Sequence, residues 1–192
     1  MLAEPLRVLA RVVELLDGLA IAYVIGGSVA SGVHGEPRMT QDVDILIELP
    51  PSKVDALVQA LHGEFYVDPD TVRSAARDRG SFNVIHLAMH HKVDFFVASD
   101  EPLDREQLAR RMAVPIDPDD TRIIFVTAAE NMILRKLDWF RMGNEVSEVQ
   151  WRDILGMLKI SGSLLDLDYI RDLAQRTGLE PLLDRALAQG GL

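Results

Sequence analysis

The sequence predicts an α+β protein, with a twisted mixed β-sheet of about four to six strands, flanking helices and a C-terminal helical segment. Between residues 1 and 126, short apolar runs with the spacing of strands alternate with amphipathic helical segments. From Thr127 onward the pattern is helical throughout. We therefore expect an α/β core over residues 1–126 and a helical segment over residues 127–192 that packs on it.

The elements of the first part follow from hydrophobic periodicity and from glycine and proline positions. Helical spacing predicts helices over residues 3–17, 28–34, 52–62 and 102–112. Apolar runs predict strands over residues 20–25, 42–49, 82–88 and 92–98, and two short strands around a turn between residues 114 and 126. The runs at 82–88 and 92–98 read as a hairpin. Ser28 and Ser52 are the N-cap candidates of their helices, and residues 63–80 predict a turn with one or two helical turns.

The C-terminal part is predicted as four helices, over residues 127–142, 146–159, 166–177 and 181–188. Three aromatic residues at helical spacing, Trp139, Phe140 and Trp151, are interpreted as core of these helices.

Composition excludes several classes of protein. The chain has 192 residues, no cysteine and a formal net charge of −10. Without cysteine there are no disulfides and no thiolate metal sites. No stretch has the length and apolarity of a transmembrane helix, so we expect no membrane partner, and the cytoplasm is the default location. The negative charge disfavours non-specific binding to DNA, but it permits a local basic pocket for a nucleotide.

Two carboxylates interrupt an otherwise apolar strand. Asp42 and Asp44 are two residues apart in "DVDILIEL", so both side chains leave the same face of the predicted strand. Side by side they repel, and they are stable only near solvent, near a basic group or around a cation such as Mg²⁺. Asp94 in "KVDFFVA" is a third acid within an apolar strand. The alternative is that all three are ordinary strand-edge charges that face water.

The segment "VIGGSVA" places two glycines between a strand and a helix. Glycine lets the backbone turn sharply and approach a ligand, and the N–H groups at a helix start bind phosphate. Gly26, Gly27 and Ser28 are therefore candidate phosphate-binding residues. The alternative is a tight strand–helix turn with a serine cap.

In combination these motifs resemble the nucleotidyltransferase superfamily of the DNA polymerase β type. The resemblance covers "IGGS" at residues 25–28, a gap of thirteen residues, "DVDI" at 42–45 and the later Asp94. A finer similarity, to small bacterial minimal nucleotidyltransferases that include AbiEii-like toxins, rests on "RMTQD" at residues 38–42 and on two helical segments. Those segments are "AENMILRKLDWFRMG" at 129–143 and "VQWRDILGML" at 149–158.

The resemblance implies a nucleotidyltransferase-type sheet and a function for each motif. Asp42 and Asp44 are expected to bind Mg²⁺ (or Mn²⁺), and Asp94 to complete the catalytic and metal site. Gly27 and Ser28, with Gly26 before them, are expected to hold the β- and γ-phosphates of a nucleoside triphosphate. The reaction implied is transfer of the nucleotidyl group to an acceptor hydroxyl, with pyrophosphate as the leaving group.

Three further residues are candidates for nucleotide binding. If residues 38–44 are extended, Arg38 and Thr40 share the face of Asp42 and Asp44. Lys136 lies within an apolar helical stripe, so it either extends to the surface or serves a cleft, and in the resembled family a lysine on this helix reaches the triphosphate. Arg38 is open to a second interpretation, as an ordinary loop arginine.

The sequence leaves the acceptor open: a small molecule such as an antibiotic, a protein side chain or an RNA end. Toxin-like membership would add a cognate antitoxin as a partner. Two alternatives remain, which are a catalytically inactive nucleotide-binding domain with a regulatory or interaction function, and an ordinary structural α+β domain.

Overall fold

The fold is the expected α+β type, with a mixed sheet and helices on both faces. The computed structural model describes residues 4–34, 42–117 and 120–192. The helices within those residues are α1 Glu4–Gly18, α2 Gly27–His34, α3 Val54–Leu61, α4 Pro69–Asp78, α5 Pro102–Ala109, α6 Ala129–Met142, α7 Glu148–Ser161, α8 Leu167–Thr177 and α9 Glu180–Gly190. The strands are β1 Tyr23–Ile25, β2 Asp42–Ile47, β3 Phe65–Tyr66, β4 Ser81–His86, β5 Lys92–Val97, β6 Met112–Pro115 and β7 Ile123–Val126.

The sheet has the strand order β3-β4-β5-β2-β1-β7-β6. β2 and β5 at its centre run parallel, as do β1 and β7, whereas β1–β2, β3–β4, β4–β5 and β6–β7 are antiparallel. The β4–β5 hairpin is confirmed. Parallel pairing of β2 with β5 matters most for the site, because it sets two acid-bearing strands side by side.

One face of the sheet is fully packed. Val43, Ile45 and Ile47 alternate along β2 and are buried on this face, together with Val93 and Phe95 of β5. Helices α1, α3 and α4 cover it with their own apolar residues. Because side chains alternate along a strand, this packing directs the remaining side chains of β2 and β5 to the opposite face.

The opposite face is only partly covered, by α2, by α5 and, through the contact of Trp139 with Phe96, by α6. Helices α6 to α9 form a second apolar cluster, which also includes Ala30 of α2 and Leu103 of α5. Since residues of the first part contribute to this cluster, the division at residue 126 stays a prediction. The uncovered part of this sheet face leaves room for a ligand beside the acids.

Several details differ from the sequence-based expectations. Within the described residues the sheet has seven strands rather than four to six, because the two-residue β3 gave no periodic signal. Ser52 is not a helix cap: Pro50 and Pro51 start a 3-10 turn that contains it, and α3 begins at Val54. Helix α4 is ten residues long, since the Asp68 carboxylate accepts hydrogen bonds from the Asp70 and Thr71 amides and caps it.

In the described part of the chain, no helix combines the length and apolarity needed to cross a membrane.

Candidate active site

The three predicted acids lie on the same face of the sheet. In the parallel β2–β5 pair, Asp44 is directly opposite Asp94, and Asp42 is opposite Lys92. Asp42 and Asp44 share a face by alternation, and so do Lys92 and Asp94. The expectation that these strands bring Asp94 beside Asp44 therefore agrees with the register, whereas the catalytic function of the acids stays a prediction.

Lys92 provides a cation within this acid cluster, and the sequence analysis did not identify it. Its Nζ atom lies 2.8 Å from Asp94 Oδ2 and 3.6 Å from Asp42 Oδ2. The hydrogen bond to Asp94 raises the pKa of Lys92, with the charges of both acids adding to it and burial opposing it. Lys92 is therefore a charged counter-ion for the acids. Its position two residues before Asp94 was the sequence signal that could have revealed it.

Asp44 is the most constrained of the acids. Burial raises the pKa of its carboxyl, and the neighbouring charges of Asp94 and Asp42 raise it further, while Lys136 and Lys92 oppose the shift. A carboxylate that is partly desolvated and faces two other acids is stabilised by a bound cation. This environment distinguishes Asp44 from a strand-edge charge that merely faces water.

The glycine turn packs directly against Asp44. Gly27 has φ +56°, and a Cβ atom built on it would lie 1.8 Å from Asp44 Oδ2. The Gly26 amide donates a hydrogen bond to the Asp44 carbonyl oxygen at 2.9 Å. Glycine at position 27 is thus required both by its backbone conformation and by the space that the carboxylate fills.

Helix α2 begins at Gly27, so Ser28 lies inside its first turn and is not its N-cap. The first helical hydrogen bond runs from the Ala30 amide to the Gly26 carbonyl oxygen, which puts Gly26 at the cap position. The serine-cap prediction is wrong because the left-handed Gly27 lets the helix start one residue earlier. The start of α2, with its free amides, still adjoins the acid cluster.

Lys136 is buried rather than extended to the surface, with 1% relative exposure. Its Nζ atom lies 2.8 Å from Asp153 Oδ2 and 3.0 Å from Gln150 Oε1, both on α7. Its charge also acts on Asp44. Lys136 therefore links α6 to α7 on the side of the site where α2 begins, while its triphosphate contact stays a prediction.

Arg38 and Thr40 lie outside the described residues. Their predicted function in nucleotide binding stays a prediction.

The residue types fit a hard divalent cation, although the acids are not arranged as a ready-made metal site. Among residues 4–34, 42–117 and 120–192, no three His, Asp or Glu side chains form a group that could hold a metal ion as they stand. The ammonium of Lys92 occupies a cation position between Asp42 and Asp94. Carboxylate oxygens are the ligands that Mg²⁺ prefers, so the donor set fits once Lys92 moves aside.

A cavity of about 320 Å³ adjoins the cluster between the sheet and helices α5 and α6. Residues of β1, β2 and β5, of the loop before β4 and of helices α5 and α6 line the cavity. The residues that face it include Gly27, Asp44, Leu46, Arg79, Ser81, Phe96, Gln107, Arg135 and Trp139. Sequence reasoning missed this cavity because it forms only when distant segments pack together.

Comparison with solved structures identifies the fold as that of the nucleotidyltransferases. The chain is similar to the antibiotic-resistance factor ANT(2'')-Ia in solution, with a TM-score of 0.55 and 17% identity over 94% of this chain and 96% of that one. A crystal structure of ANT(2'')-Ia in complex with adenylyl-2''-tobramycin gives 0.52 and 17%, over 94% and 99%. An antigenic nucleotidyltransferase-like protein from Paracoccidioides brasiliensis gives 0.52 and 19%, over 95% and 92%.

These identities are low, and the likeness shows the fold alone. No protein-family model and no curated protein matches the chain. Membership of the AbiEii-like group thus stays a sequence-based resemblance.

Proposed function

We propose that this chain is a metal-dependent nucleotidyltransferase, which moves a nucleoside monophosphate from a nucleoside triphosphate to an acceptor hydroxyl. The observation that carries the proposal is the register of β2 and β5, which sets Asp44 opposite Asp94 on the face that also bears Asp42. The start of α2 at Gly27 against Asp44 supports it, because a phosphate seat then adjoins the acids.

Asp42, Asp44 and Asp94 would hold the metal, Mg²⁺ or Mn²⁺. When bound, the ion neutralises phosphate charge and polarises the reacting phosphoryl group. The protein's own contribution is positioning and electrostatic stabilisation, which is the main source of catalysis in phosphoryl and nucleotidyl transfer.

We assign binding of the triphosphate to the glycine turn and to α6. The Gly27 and Ser28 amides at the start of α2, with Gly26 before them, bind the β- and γ-phosphates. Lys136 adds positive charge near Asp44, whose pKa its charge lowers. Arg38 and Thr40 are assigned to the same phosphates on the basis of sequence alone.

In the transfer step, the acceptor oxygen forms a bond to the α-phosphorus. The bond between the α-phosphorus and the oxygen bridging to the β-phosphorus breaks, and pyrophosphate leaves with that electron pair. The proton of the acceptor hydroxyl passes to the Asp94 carboxylate, which lies beside Asp44.

We favour a small molecule as the acceptor. The fold neighbour ANT(2'')-Ia was solved with adenylyl-2''-tobramycin, an adenylylated antibiotic. The net charge of −10 disfavours a long RNA, because its phosphates would be repelled. Because the substrate is a nucleoside triphosphate, we place the reaction in the cytoplasm.

A toxin–antitoxin function, with a cognate antitoxin partner, is the second candidate. It is supported by the AbiEii-like pattern at residues 38–42 and in the helices from 129 onward.

The test is label transfer. The protein is incubated with each α-³²P-labelled nucleoside triphosphate, Mg²⁺ and a cell extract, and the labelled species is identified. The double variant Asp42→Asn/Asp44→Asn removes two carboxylates from the site. The matched control Asp55→Asn/Asp70→Asn removes two exposed carboxylates from α3 and α4 instead.

We expect the wild type and the control to label an acceptor, and the site variant to stay folded by circular dichroism and lose labelling. Full labelling by the site variant would refute the assignment of the acids. Nucleotide binding without pyrophosphate release in the wild type would instead favour the inactive nucleotide-binding alternative.

A further inference from the structure

We infer that the cavity between the sheet and helices α5 and α6 binds the nucleoside of the substrate, and that it favours bases with a carbonyl acceptor on their outer edge. This inference rests on the proposed function. The base expected in the cavity is a keto base, such as guanine, uracil or hypoxanthine, rather than an amino base such as adenine or cytosine.

The position of the cavity assigns it to the nucleoside. Gly27 and Asp44 line it, and so do Arg79, Gly80 and Ser81. A ligand that enters it therefore extends directly from the phosphate seat and the acids. Its volume of about 320 Å³ lies at the lower end of the range for small-molecule pockets.

A neighbouring groove, which shares Ser81 and Phe96 with the cavity, is the place for the acceptor. It has a volume of about 330 Å³ and is lined by Asp94 with Tyr66, Asn83 and neighbouring residues. Asp94 does not line the nucleoside cavity, and Asp44 and Gly27 do not line the groove. In-line displacement places the attacking and leaving oxygens on opposite sides of the phosphorus. With pyrophosphate at Gly27, the acceptor takes the side of Asp94, and the nucleoside takes the cavity.

The cavity walls suit a planar ring. Phe96 of β5 and Trp139 of α6 meet with ring centroids 6.5 Å apart and planes tilted by 41°. They form an aromatic corner, and Leu46 and Met132 add apolar surface. Stacking of a base on an aromatic side chain contributes about 1–3 kcal/mol and does not select among bases. Selection must come from polar groups.

The side-chain oxygens of Asp104 and Gln107, on the polar wall of the cavity, already accept hydrogen bonds from other protein groups. The Asp104 carboxylate accepts hydrogen bonds from the amide and the hydroxyl of Ser99, at 2.8 and 2.6 Å, and from Arg135. The Gln107 carbonyl oxygen accepts from Arg135 Nε at 3.4 Å. Neither Asp104 nor Gln107 therefore has a strong acceptor to offer a ligand.

Apart from the Ser81 hydroxyl, which can donate or accept, the polar side chains still available to a ligand in the cavity are hydrogen-bond donors. Within the described residues, the Arg79 guanidinium interacts electrostatically with Asp100 but makes no hydrogen bond, and the Gln107 side chain is hydrogen-bonded only through its oxygen. Arg79 also has a left-handed backbone, φ +53°, at the end of α4, which is uncommon for a residue other than glycine. Arginine pairs with adjacent acceptors such as O6 and N7 of guanine, and an amino base presents a donor in place of the O6 acceptor.

The experiment uses fluorescence of a single tryptophan. Trp151→Phe leaves Trp139, in the cavity wall, as the sole tryptophan, because the chain has two. The probes are non-hydrolysable α,β-methylene analogues of inosine and adenosine triphosphates, which exchange a carbonyl for an amino group at one ring position. Analogues of guanosine, uridine and cytidine triphosphates extend the comparison, and inorganic tripolyphosphate tests the phosphate seat alone.

We expect the inosine analogue to quench Trp139 and to bind about tenfold more tightly than the adenosine analogue, a difference of about 1.4 kcal/mol. Arg79→Met should remove this preference and leave tripolyphosphate affinity unchanged. Arg171→Met, at an exposed arginine paired with Asp184 outside the cavity, is the matched control and should change neither.

Equal binding of the two analogues by the Trp151→Phe protein would overturn the inference, as would nucleotide binding with no change in Trp139 emission. In both cases label transfer that depends on Asp42 and Asp44 would still stand. Failure of every triphosphate to bind would instead count against the proposed function itself.

Discussion

Lys92 and Asp94 face the same side of β5, and the lysine nitrogen lies 2.8 Å from Asp94 Oδ2 and 3.6 Å from Asp42 Oδ2. A positive side chain therefore already neutralises the carboxylates to which we assign the metal. Any divalent ion that binds there competes with this ammonium. In the absence of metal, the protein's own Lys92 therefore balances part of the negative charge of the acids.

Removal of that charge gives the first prediction. Lys92→Met should raise the affinity for Mn²⁺ in the absence of nucleotide by about two- to fivefold, the size expected for a partly exposed ion pair of up to about 1 kcal/mol. In EDTA the same variant should melt at a lower temperature, because three acids lose their counter-ion. Electron paramagnetic resonance of free Mn²⁺ and a thermal melt measure the two effects.

Lys159→Met, at an exposed lysine on α7, is the control and should change neither quantity. The gain in melting temperature on adding Mg²⁺ should be larger for the Lys92 variant than for the wild type. An unchanged or weaker Mn²⁺ affinity would show that Lys92 does not compete for the site.

The contact between Gly27 and Asp44 gives the second prediction. Alanine at position 27 must adopt φ +56°, at a cost of about 1–2 kcal/mol, and its Cβ would meet Asp44 Oδ2 at 1.8 Å. We expect Gly27→Ala to lower the free energy of unfolding by about 1–3 kcal/mol and to weaken tripolyphosphate binding at least tenfold. Urea denaturation and calorimetric titration measure these changes.

Gly26→Ala is the matched control. A Cβ at Gly26 would have its nearest neighbours at 3.9 Å, from Thr127 Oγ1, and 4.0 Å, from the Asp44 carbonyl oxygen, which is ordinary contact. Its effect on stability should stay within about 1 kcal/mol, because alanine in place of glycine at a compatible backbone conformation changes stability by about 0.4–1 kcal/mol, usually upward. If the two alanine variants behave alike, the close approach at Gly27 has no special importance.

The sequence predicted the acids but not their surroundings. Alternation along one strand is enough to put Asp42 and Asp44 on one face, and an apolar context marks Asp94. The register that sets Asp44 opposite Asp94 depends on pairing between strands that are distant in sequence, which local patterns do not encode. The same alternation argument would have placed Lys92 on the face of Asp94, two residues further along the strand.

Other features could not be read from local patterns. Arg79, at the left-handed end of α4, and Trp139 of α6, which contacts Phe96 of β5, line the same cavity although they are distant in sequence. The start of α2 at Gly27 rather than after Ser28 accompanies a left-handed Gly27 that packs against Asp44. Tertiary contacts decided these details.

Lys136 and Asp153 give the third prediction, which separates a structural lysine from a phosphate-binding one. Lys136→Met leaves the Asp153 carboxylate, 13% exposed, without its 2.8 Å partner. Breaking a buried pair from one side costs about 3–5 kcal/mol, whereas replacing both members by apolar residues is often neutral. We expect the single variant to be strongly destabilised, and Lys136→Met/Asp153→Leu to regain most of that loss.

Tripolyphosphate affinity of the double variant is the decisive measurement, and it remains available even if the single variant does not fold. If Lys136 serves the triphosphate, affinity stays at least tenfold below wild type after stability has recovered. Recovery of both properties together would make the lysine purely structural. Calorimetric titration and urea denaturation on the same samples supply the comparison.

The Tyr23 hydroxyl gives the fourth prediction, on stability and pH. It is buried without a hydrogen-bond partner among the described residues, and the nearby Phe125 backbone does not reach hydrogen-bond geometry. Burial, with the charge of Asp17 second, raises the pKa of Tyr23 to about 12. Because an unpaired buried hydroxyl costs about 1–3 kcal/mol, Tyr23→Phe should raise the free energy of unfolding, by about 1 kcal/mol after partial relaxation.

The pH dependence follows from the same pKa shift. The folded protein holds Tyr23 neutral up to pH about 12, whereas an unfolded tyrosine ionises near pH 10. This contribution to stability is fully present below pH about 10 and is lost as the pH rises to about 12. The stability advantage of Tyr23→Phe over the wild type should therefore grow over that window.

The control is Tyr169→Phe, which removes a hydroxyl that bonds to Asn131 and Glu106, so it should destabilise the protein at neutral pH. Denaturation curves at neutral pH, where both hydroxyls are protonated, would contradict the argument if the two variants shifted stability in the same direction.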